Sequence, residues 1–394
     1  MTDQANGALN TERRHPRVIG RFGDGNGPTM IVMTGMHGNE PAGGRAAERL
    51  VARIEREGWE IHGEFVALSG NIKALEEKTR FIDRDFNRCW TPERVSRAES
   101  GDHPPFAEAE EMREVLTTIR EIVARAQGPV YFLDCHTTSA EGPPFATVGD
   151  TIRNRRFARR FPLPLILGLE EQVDGALLEY LNNFGLVTLG VEAGQHDCDL
   201  SVDRFVALIT LALSYTGLYE LPAKERRRHT STLRQASSGV PAIIEVRYRH
   251  AIHESDGFKM KPGYDNFVAI GKGEVVAQDG EGDVLVPEDG LMLLPLYQGK
   301  GNDGFFVARP VKPIWLALSR WLRGRRLGRL LPLLPGVRRS THSSDDLVVN
   351  TKIARWYPLE VFHLFGYRKR RSFGTALVVS RRAFDLRPPE TVQL

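Results

Sequence analysis

The stretch TMIVMTGMHGNEP, residues 29–41, indicates the fold class of this chain. Its first six residues form a short apolar run between Gly27-Pro28 and Gly35, which is typical of a buried strand. Residues 43–56 follow with apolar side chains at helical spacing. The loop that carries His37 and Glu40 is therefore predicted at the carboxyl end of a strand, directly before a helix.

The same alternation continues along the chain. Further apolar runs at 65–68, 130–133 and 185–191 predict strands, and periodic segments at 106–126 and 203–219 predict amphipathic helices. Strands that alternate with helices predict an α/β layer fold, in which ligands bind beyond the carboxyl ends of the strands.

The domain organisation is predicted from changes in composition along the 394 residues, a length that suggests two or three domains. Residues 311–394 hold 17 Lys+Arg against 5 Asp+Glu, whereas residues 1–310 hold 36 against 45, so an acidic body carries a basic tail. We predict a polar leader at 1–28, a catalytic domain at 29–225, a linker at 226–240, a small all-β domain at 241–310 and a basic extension at 311–394.

The composition excludes several classes of protein. The 41% apolar and 26% charged residues exclude a disordered, collagen-like or coiled-coil chain. Three scattered cysteines are too few for a disulfide framework or a structural zinc cluster, and they suit a reducing compartment. We recognise no secretory leader, and no stretch approaches 18 uninterrupted apolar residues. We therefore expect a cytoplasmic protein.

Residues suited to binding a metal follow two of the predicted strands. His37 and Glu40 are separated by two residues in a glycine-rich loop, and His136 follows a strand about a hundred residues later. Two histidines and one carboxylate with an open fourth position describe a catalytic zinc site, and we expect one Zn²⁺ per chain. Asp134 is placed to orient the His136 imidazole. Taken singly, His37 and Glu40 also fit a surface pair, and His136 fits a hydrogen-bonded core histidine.

Two further groups suit acid–base chemistry and anion binding. Glu192 ends an apolar strand, where a carboxylate beside a metal can act as general base; alone, it also fits a loop or helix-capping acid. Asn87 and Arg88 end the polar segment RFIDRDFNR, residues 80–88, and can present a guanidinium fork to a carboxylate or phosphate. Alone, this segment also fits a solvated charged face.

Four ordered motifs resemble the succinylglutamate desuccinylase/aspartoacylase family, a branch of the zinc carboxypeptidase-like fold. The likeness spans about residues 29–310 and rests on HGNEPAG at 37–43, GN at 70–71 with RFIDRDFNR at 80–88, DCHTT at 134–138 and EAG at 192–194. The resemblance implies a three-layer α/β/α core with a mixed sheet, followed by the small all-β domain. It also implies that His37, Glu40 and His136 hold zinc and that Glu192 is the general acid and base.

By the same matching, four residues of the 80–88 segment handle the substrate. Arg80 would polarise the scissile carbonyl, Asn87 and Arg88 would bind a substrate carboxylate, and Asp85 would support the arginines from behind. The implied reaction is hydrolysis of an N-acyl amino acid or a related amide, with a small anionic molecule as substrate.

Two departures from the family pattern concern the substrate. Aspartoacylases carry an arginine shortly before the catalytic glutamate, and residues 178–190 contain none. They also present a tyrosine from the C-terminal domain, where this chain offers Phe305 or Phe306. The pattern therefore predicts the reaction type but not the acyl group or the amine.

Two other functions stay open at this point. The same ligands and Asn-Arg pair serve a zinc carboxypeptidase that acts on a peptide or a peptidoglycan fragment. The alternative from another class is a catalytically idle binding protein, directed by its basic tail to a membrane or to nucleic acid.

The basic tail lies outside the resemblance. Trp315, Leu318, Trp321 and Leu322 fall on one helical face, with arginines interspersed. We expect this segment first to pack on the acidic body or on a second copy of the chain. A peripheral contact with an anionic membrane surface ranks second, and nucleic-acid binding ranks last.

Overall fold

The computed structural model describes residues 15–101, 106–341, 343, 345–353, 359–373 and 376–394, so residues 1–14 of the predicted leader lie outside it. The helices, in chain order, are α1 (Ala42–Glu57), α2 (Ile72–Glu77), α3 (Pro92–Ser100), α4 (Ala107–Arg125), α5 (Ile152–Ala158), α6 (Leu177–Asn182), α7 (Asp199–Thr216), α8 (Ala223–Ala236), α9 (Pro313–Gly324) and α10 (Leu359–Leu364).

The strands, in the same order, are β1 (Val18–Phe22), β2 (Thr29–Thr34), β3 (Glu64–Ser69), β4 (Val130–Thr138), β5 (Phe145–Thr147), β6 (Leu165–Leu167), β7 (Val187–Gln195), β8 (Ile243–Ala251), β9 (Lys259–Met260), β10 (Ala269–Ile270), β11 (Val275–Asp279), β12 (Gly282–Leu285), β13 (Gly290–Leu293), β14 (Asp303–Pro310), β15 (Val337–Arg339), β16 (Asp346–Asn350), β17 (Tyr367–Phe373) and β18 (Ala376–Arg381).

One large mixed sheet organises the body of the molecule. Its strands follow the order β1-β3-β2-β4-β7-β5-β6-β8-β14-β13-β10. The centre, from β3 through β2 and β4 to β7, is parallel, so the carboxyl ends of these strands meet at one edge. Loops that leave that edge are therefore neighbours in space although they are far apart in sequence.

Alternate side chains of the buried strands contact helices on opposite faces of the sheet. On β2, Met30 and Val32 pack with the residues of α1 and α7, whereas Ile31 and Met33 pack with those of α4. This two-residue alternation gives the three-layer α/β/α core that the sequence predicts, because both faces of a largely parallel sheet must be covered. The fold class is confirmed.

The linker predicted at 226–240 is wrong for most of its length, because residues Ala223–Ala236 form helix α8. The arginines that suggested a solvated linker are good helix formers. His229 and Leu233, four residues apart, are the buried residues of this helix, and Leu233 joins the core beside α7.

The predicted all-β region is continuous with the body. Strands β8 and β14 pair antiparallel and extend the large sheet, since β8 also pairs in parallel with β6. The short strands β9, β11 and β12 form a separate small sheet. The predicted leader, in turn, contributes β1, which pairs with β3.

The basic tail folds back onto the body. Packing on the body was one of the two arrangements ranked first in the sequence analysis. Helix α9 contributes Leu316 to the main core, and strands β15, β16, β18 and β17 form a four-stranded antiparallel sheet. Among the residues that the structure describes, no helix is both long and apolar enough to cross a membrane.

Candidate active site

The loop between β2 and α1 brings His37 and Glu40 to the parallel edge of the sheet. Gly38 lets this loop approach the end of α2, because a Cβ at this position would lie 1.9 Å from the carbonyl oxygen of Ala74. The Gly38 amide also donates a hydrogen bond to the carbonyl oxygen of Arg80, at 3.2 Å. The glycine therefore fixes the loop against the segment that carries the predicted substrate-binding residues.

His37, Glu40 and His136 meet in one buried group. The Glu40 carboxylate lies between the two imidazoles, with Oε1 2.7 Å from Nδ1 of His37 and Oε2 3.1 Å from Nδ1 of His136. One potential ligand atom from each residue lies within 4.8 Å of the other two. The Thr137 amide donates a further hydrogen bond to Glu40, at 3.0 Å. Two imidazole nitrogens and one carboxylate are a donor set that suits Zn²⁺.

Two aspartates face the far sides of these imidazoles. Asp85 Oδ1 is hydrogen-bonded to Nε2 of His37 at 3.1 Å, and Asp134 Oδ2 lies at an ion-pair distance of 3.0 Å from Nε2 of His136. A carboxylate at Nε2 favours a proton on that nitrogen and leaves the Nδ1 lone pair for a metal. In this arrangement the Nδ1 atoms of both histidines face Glu40 and could act as metal ligands.

The electrostatics of the group favour a cation. Burial by itself would raise the pKa of the Glu40 carboxyl, but His37 and His136 hold that pKa well below its usual range. Burial likewise disfavours charge on His136, yet Asp134 and Glu40 raise the pKa of His136 well above its usual value. A positive charge on the His136 imidazole, or on a cation bound in its place, compensates these buried carboxylates.

Glu192 stands beside this group on the neighbouring strand. It is the register partner of His136 in the parallel pairing of β4 with β7. Its Oε2 is buried and has no hydrogen-bond partner among the described residues. The pKa of Glu192 is raised to about 8, mainly by burial; Glu40 and Asp134 also raise this pKa, whereas His136 and Arg80 lower it. An unpartnered carboxyl group with a raised pKa is suited to taking up and releasing a proton.

The segment 80–88 is held in place by Glu108, a fully buried acid on α4 that the sequence analysis did not single out. Its carboxylate accepts hydrogen bonds from the backbone amides of Ile82 and Arg84 at 2.7 and 3.1 Å. It also accepts one from the side chain of Asn71 at 3.3 Å. The available sequence signal was the position of Glu108 in the first turn of an amphipathic helix, on the side that faces the core. An acid buried there must accept hydrogen bonds from nearby donors.

Arg80 and Asp85 lie together beside the buried His37–Glu40–His136 group. Arg80 donates hydrogen bonds to Asp85 Oδ2 at 3.1 and 3.3 Å, and its Nη1 lies 3.5 Å from Oε1 of Glu40. Burial disfavours the charged form of Asp85, but Arg80 and His37 hold the pKa of Asp85 well below its usual range. This contact matches the supporting position expected for Asp85.

Asn87 and Arg88 line the same cavity. Asn87 accepts a hydrogen bond from the Leu177 amide at 3.0 Å through Oδ1, and its Nδ2 lies 3.4 Å from Nε2 of His136. Arg88 donates to Asp303 on β14 at 2.6 Å and to the carbonyl oxygen of Asn87 at 2.9 Å. Its Nε has no partner among the described residues. The Asp303 contact shows that strand β14 helps to place the guanidinium.

A cavity of about 160 Å³ is lined by these groups. Its lining also has an apolar part, here called the apolar wall, which includes Val148, Leu169, Val173, Leu178 and Phe306. Of the two phenylalanines considered in the sequence, Phe306 lines the cavity, whereas Phe305 packs in the core of the β region. The apolar wall is suited to contact an apolar group of a ligand.

Three cavity residues that the sequence analysis missed form a hydrogen-bonded chain. His196 Nδ1 lies 2.8 Å from the Thr137 hydroxyl, and its Nε2 lies 3.2 Å from Oε1 of Gln298, which also accepts from Asn39 at 2.6 Å. Burial lowers the pKa of His196. His196 ends the same EAGQH stretch that carries Glu192, but Gln298 lies about a hundred residues away and no local pattern marks it.

The basic tail contacts carboxylates that line the cavity. Glu170 and Glu179 are lining residues, and both pair with Arg382, which follows β18. Behind them, Arg323 of α9 pairs with Asp150 at 3.0 Å, and neither side chain is exposed to solvent. The tail therefore supplies cations that compensate the buried Asp150 and the partly exposed Glu170 and Glu179.

Known proteins resemble this chain in sequence and in fold. Residues 26–218 match the family described as the succinylglutamate desuccinylase/aspartoacylase catalytic domain. This domain belongs to that family. Its members are deacylases and amidohydrolases that act on N-acyl amino acids. The chain is also similar to an N-acyl-aromatic-L-amino acid amidohydrolase (carboxylate-forming) of Xenopus tropicalis, with 24% identity over 274 residues, 64% of this chain and 84% of the relative.

Solved structures share the family fold at low sequence identity. A succinylglutamate desuccinylase/aspartoacylase of Rhodobacter sphaeroides has a TM-score of 0.56 at 20% identity and covers 75% of this chain and 88% of its own. The product-bound ectoine utilization protein of Ruegeria pomeroyi has a TM-score of 0.52 at 17% identity, with 74% and 87% covered. A succinylglutamate desuccinylase of Vibrio parahaemolyticus has a TM-score of 0.51 at 15% sequence identity. The match covers 74% of this chain and 84% of that structure.

Proposed function

We propose that this protein is a zinc-dependent deacylase that hydrolyses an N-acyl amino acid to a carboxylate and a free amine. The observation that carries the proposal is the buried His37–Glu40–His136 group with the unpartnered carboxyl group of Glu192 beside it. A donor set of this kind, next to a group able to exchange a proton, is what metal-assisted amide hydrolysis requires.

The residues present fit a zinc ion, and each has a part in the proposed reaction. His37, Glu40 and His136 would hold Zn²⁺, which supplies an activated water and polarises a carbonyl oxygen. Glu192 would take up a proton from the attacking water at its carboxylate and release it to the departing amine nitrogen, so one carboxyl group would act first as base and then as acid. The guanidinium of Arg80 stabilises the negative charge that develops on the carbonyl oxygen.

Asn87 and Arg88 bind the free carboxylate of the substrate in this proposal. They line the cavity on the side of β14, and Arg88 keeps its Nε free of any partner among the described residues. A guanidinium already fixed by Asp303 is well suited to orient a planar anion.

The apolar wall of the cavity supports a substrate with an apolar side chain or acyl group. Leu178 and Phe306 occupy this wall, and residues 178–190 provide no arginine for a second carboxylate. Similarity to an amidohydrolase named for N-acyl-aromatic amino acids agrees with this choice. We therefore expect N-acetyl-L-phenylalanine to be hydrolysed in preference to N-acetyl-L-aspartate.

The test combines metal content with release of free amine. Purified protein is analysed for bound zinc and assayed on N-acetyl-L-phenylalanine, N-acetyl-L-aspartate and short peptides. His37→Ala is expected to lose both zinc and activity. Glu192→Gln is expected to retain zinc while kcat falls at least about 10²- to 10⁴-fold, the usual value of one positioned proton-transfer group. His62→Ala, at an exposed position, serves as the matched histidine control.

Three results would contradict the proposal. Release of the C-terminal residue from peptides without hydrolysis of N-acyl amino acids would identify a carboxypeptidase. Absence of stoichiometric zinc, unaffected by His37→Ala, would identify an idle binding protein. A Glu192→Gln variant with unchanged kcat would remove the assigned proton-transfer group.

A further inference from the structure

Helix α9 has two opposite faces, and only one of them contacts the body. The inner face, Leu316, Ser319 and Arg323, is buried. The Ser319 hydroxyl accepts a hydrogen bond from Arg155 at 3.3 Å, and Arg323 donates one to the Asp150 carboxylate at 3.0 Å, so both side chains contact the body. These contacts fix how the helix is rotated about its axis, so the opposite face points away from the body.

That opposite face is apolar. Ile314, Leu318 and Trp321 recur at the spacing of one helical stripe, and Trp315 lies next to it. The exposed fraction is 68% for Ile314, 48% for Trp315 and 54% for Trp321. We call these four residues the outer face of α9. A single exposed apolar side chain is ordinary, but a contiguous stripe of large ones marks an interaction surface.

The next segment extends the outer face. Residues Leu327–Leu333 form a short 3₁₀ helix, in which Leu330 is 55% exposed and Leu333 is 79% exposed. Residues 312–341 contain eight Lys+Arg and no Asp or Glu, and one of the eight is the buried Arg323. The side chains of Arg320, Arg325 and Arg329 are exposed. Aromatic and aliphatic groups are therefore surrounded by uncompensated positive charge.

We propose that the outer face of α9, with Leu330 and Leu333, binds the anionic surface of a lipid bilayer as a peripheral contact. Tryptophan is favoured at the boundary between headgroups and acyl chains, aliphatic side chains enter the boundary, and arginines attract anionic headgroups. The proposal concerns residues that do not line the cavity of the proposed deacylase site, and it does not depend on the proposed reaction.

Two other occupants fit this surface less well. Two copies of the chain joined through the same face would bring their arginines together, and like charges oppose such a contact. A nucleic acid would satisfy the arginines and could stack on the tryptophans, but it would leave Ile314, Leu330 and Leu333 without an apolar partner. An anionic bilayer satisfies both the cations and the aliphatic groups.

The test is flotation of the full-length protein with vesicles of phosphatidylcholine, made with and without phosphatidylglycerol. We expect binding to the anionic vesicles only, weakened by high salt. Arg320→Gln/Arg325→Gln/Arg329→Gln should lower the partition coefficient about 100-fold, because each arginine near an anionic surface contributes about fivefold. Trp315→Ala/Trp321→Ala should abolish binding and the blue shift of tryptophan fluorescence that vesicles cause.

Matched variants elsewhere on the surface serve as controls. Leu200→Ala replaces another apolar residue, 58% exposed, and Arg227→Gln/Arg228→Gln removes exposed charge from α8. Both should bind vesicles as the wild type does. All substituted side chains are exposed, so circular dichroism should show the same thermal midpoint for every variant.

Several outcomes would overturn the proposal. Equal vesicle binding by the wild type and the outer-face variants would place the lipid contact elsewhere or nowhere. Retention on duplex DNA, lost in the arginine variant, with no binding to vesicles would identify a nucleic acid as the occupant. A dimer in light scattering that Trp315→Ala/Trp321→Ala converts to monomer would identify a second copy of the chain.

Discussion

His363 should make the attachment of the tail sensitive to alkaline pH. Its Nδ1 is hydrogen-bonded to Oε1 of Glu245 at 3.2 Å, and its Nε2 lies 3.2 Å from Oε2 of Glu171. Burial disfavours the charged imidazole, but the two carboxylates raise the pKa of His363 to about 9. Compared with the ordinary 6.5, this rise corresponds to about 3 kcal/mol of folded-state stability.

The sign of the effect follows from which state binds the proton more tightly. The folded protein holds the proton more tightly, so the contribution is fully present below pH 6.5 and is lost as pH rises through about 9. His363→Gln removes the titrating group and should be less stable than the wild type at low pH. The difference in the free energy of unfolding between the two proteins should shrink to near zero once the pH exceeds about 9.

Urea unfolding followed by tryptophan fluorescence, from about pH 6 to about pH 10, measures this difference directly. Comparison at each pH cancels the titration of all other groups, and His62→Gln, at an exposed position, is the matched control. A difference between wild type and His363→Gln that stays constant over the range, or that grows as pH rises, would refute the reasoning.

The remaining predictions concern the site loop, the substrate contact and the buried ion pairs. Gly38→Ala should abolish zinc retention, because the added Cβ would meet the Ala74 carbonyl; Gly44→Ala on α1, where the nearest atom is 3.8 Å away, should retain zinc. Arg88→Ala should raise KM with little change in kcat, and steady-state kinetics that show only a fall in kcat would contradict its assigned role. Arg323→Met should lower the free energy of unfolding by about 3–5 kcal/mol, because it leaves Asp150 and Asp385 with one buried cation fewer. Unfolding in urea measures this loss, and a loss below about 1 kcal/mol would contradict the expectation.

Local patterns predict the body of the fold well. The strand at Thr29–Thr34 has the bounds that its flanking glycines indicate, and the predicted helices at 43–56 and 106–126 correspond to α1 and α4 within one residue at each end. The strand is sharply bounded by glycines, and the two helices are long and strongly periodic. Elements of these kinds are the most predictable ones.

That the three residues suited to bind a metal would lie close together was also predictable. His37, Glu40 and His136 each follow or end a strand of the parallel part of the sheet, so topology alone brings them to one edge. The roles assigned to Glu192, Arg80, Asn87 and Arg88 stay predictions, although all four line the same cavity.

Other features depend on contacts that no local pattern contains. Glu108 is buried because backbone amides of a distant segment need an acceptor, and Arg382 is buried because Glu170 and Glu179 need a cation. The predicted linker failed for the opposite reason: a basic segment was taken as solvated, although two of its side chains, His229 and Leu233, reach the core. Charge patterns describe the surface of a chain, whereas these residues are defined by their partners.

The pairing of Asp150 with Arg368 has a consequence for biosynthesis. The two residues are 218 positions apart in sequence, and at bacterial or eukaryotic translation rates of about 5–20 residues per second the arginine emerges about 10–40 s after the acid. During that delay Asp150 can pair with Arg155 of the body, but the last of the cations that the tail brings to it is missing. A ribosome stalled before residue 368 should therefore display a globule whose tail is not yet fully attached, and which is exposed there to chaperones and proteases.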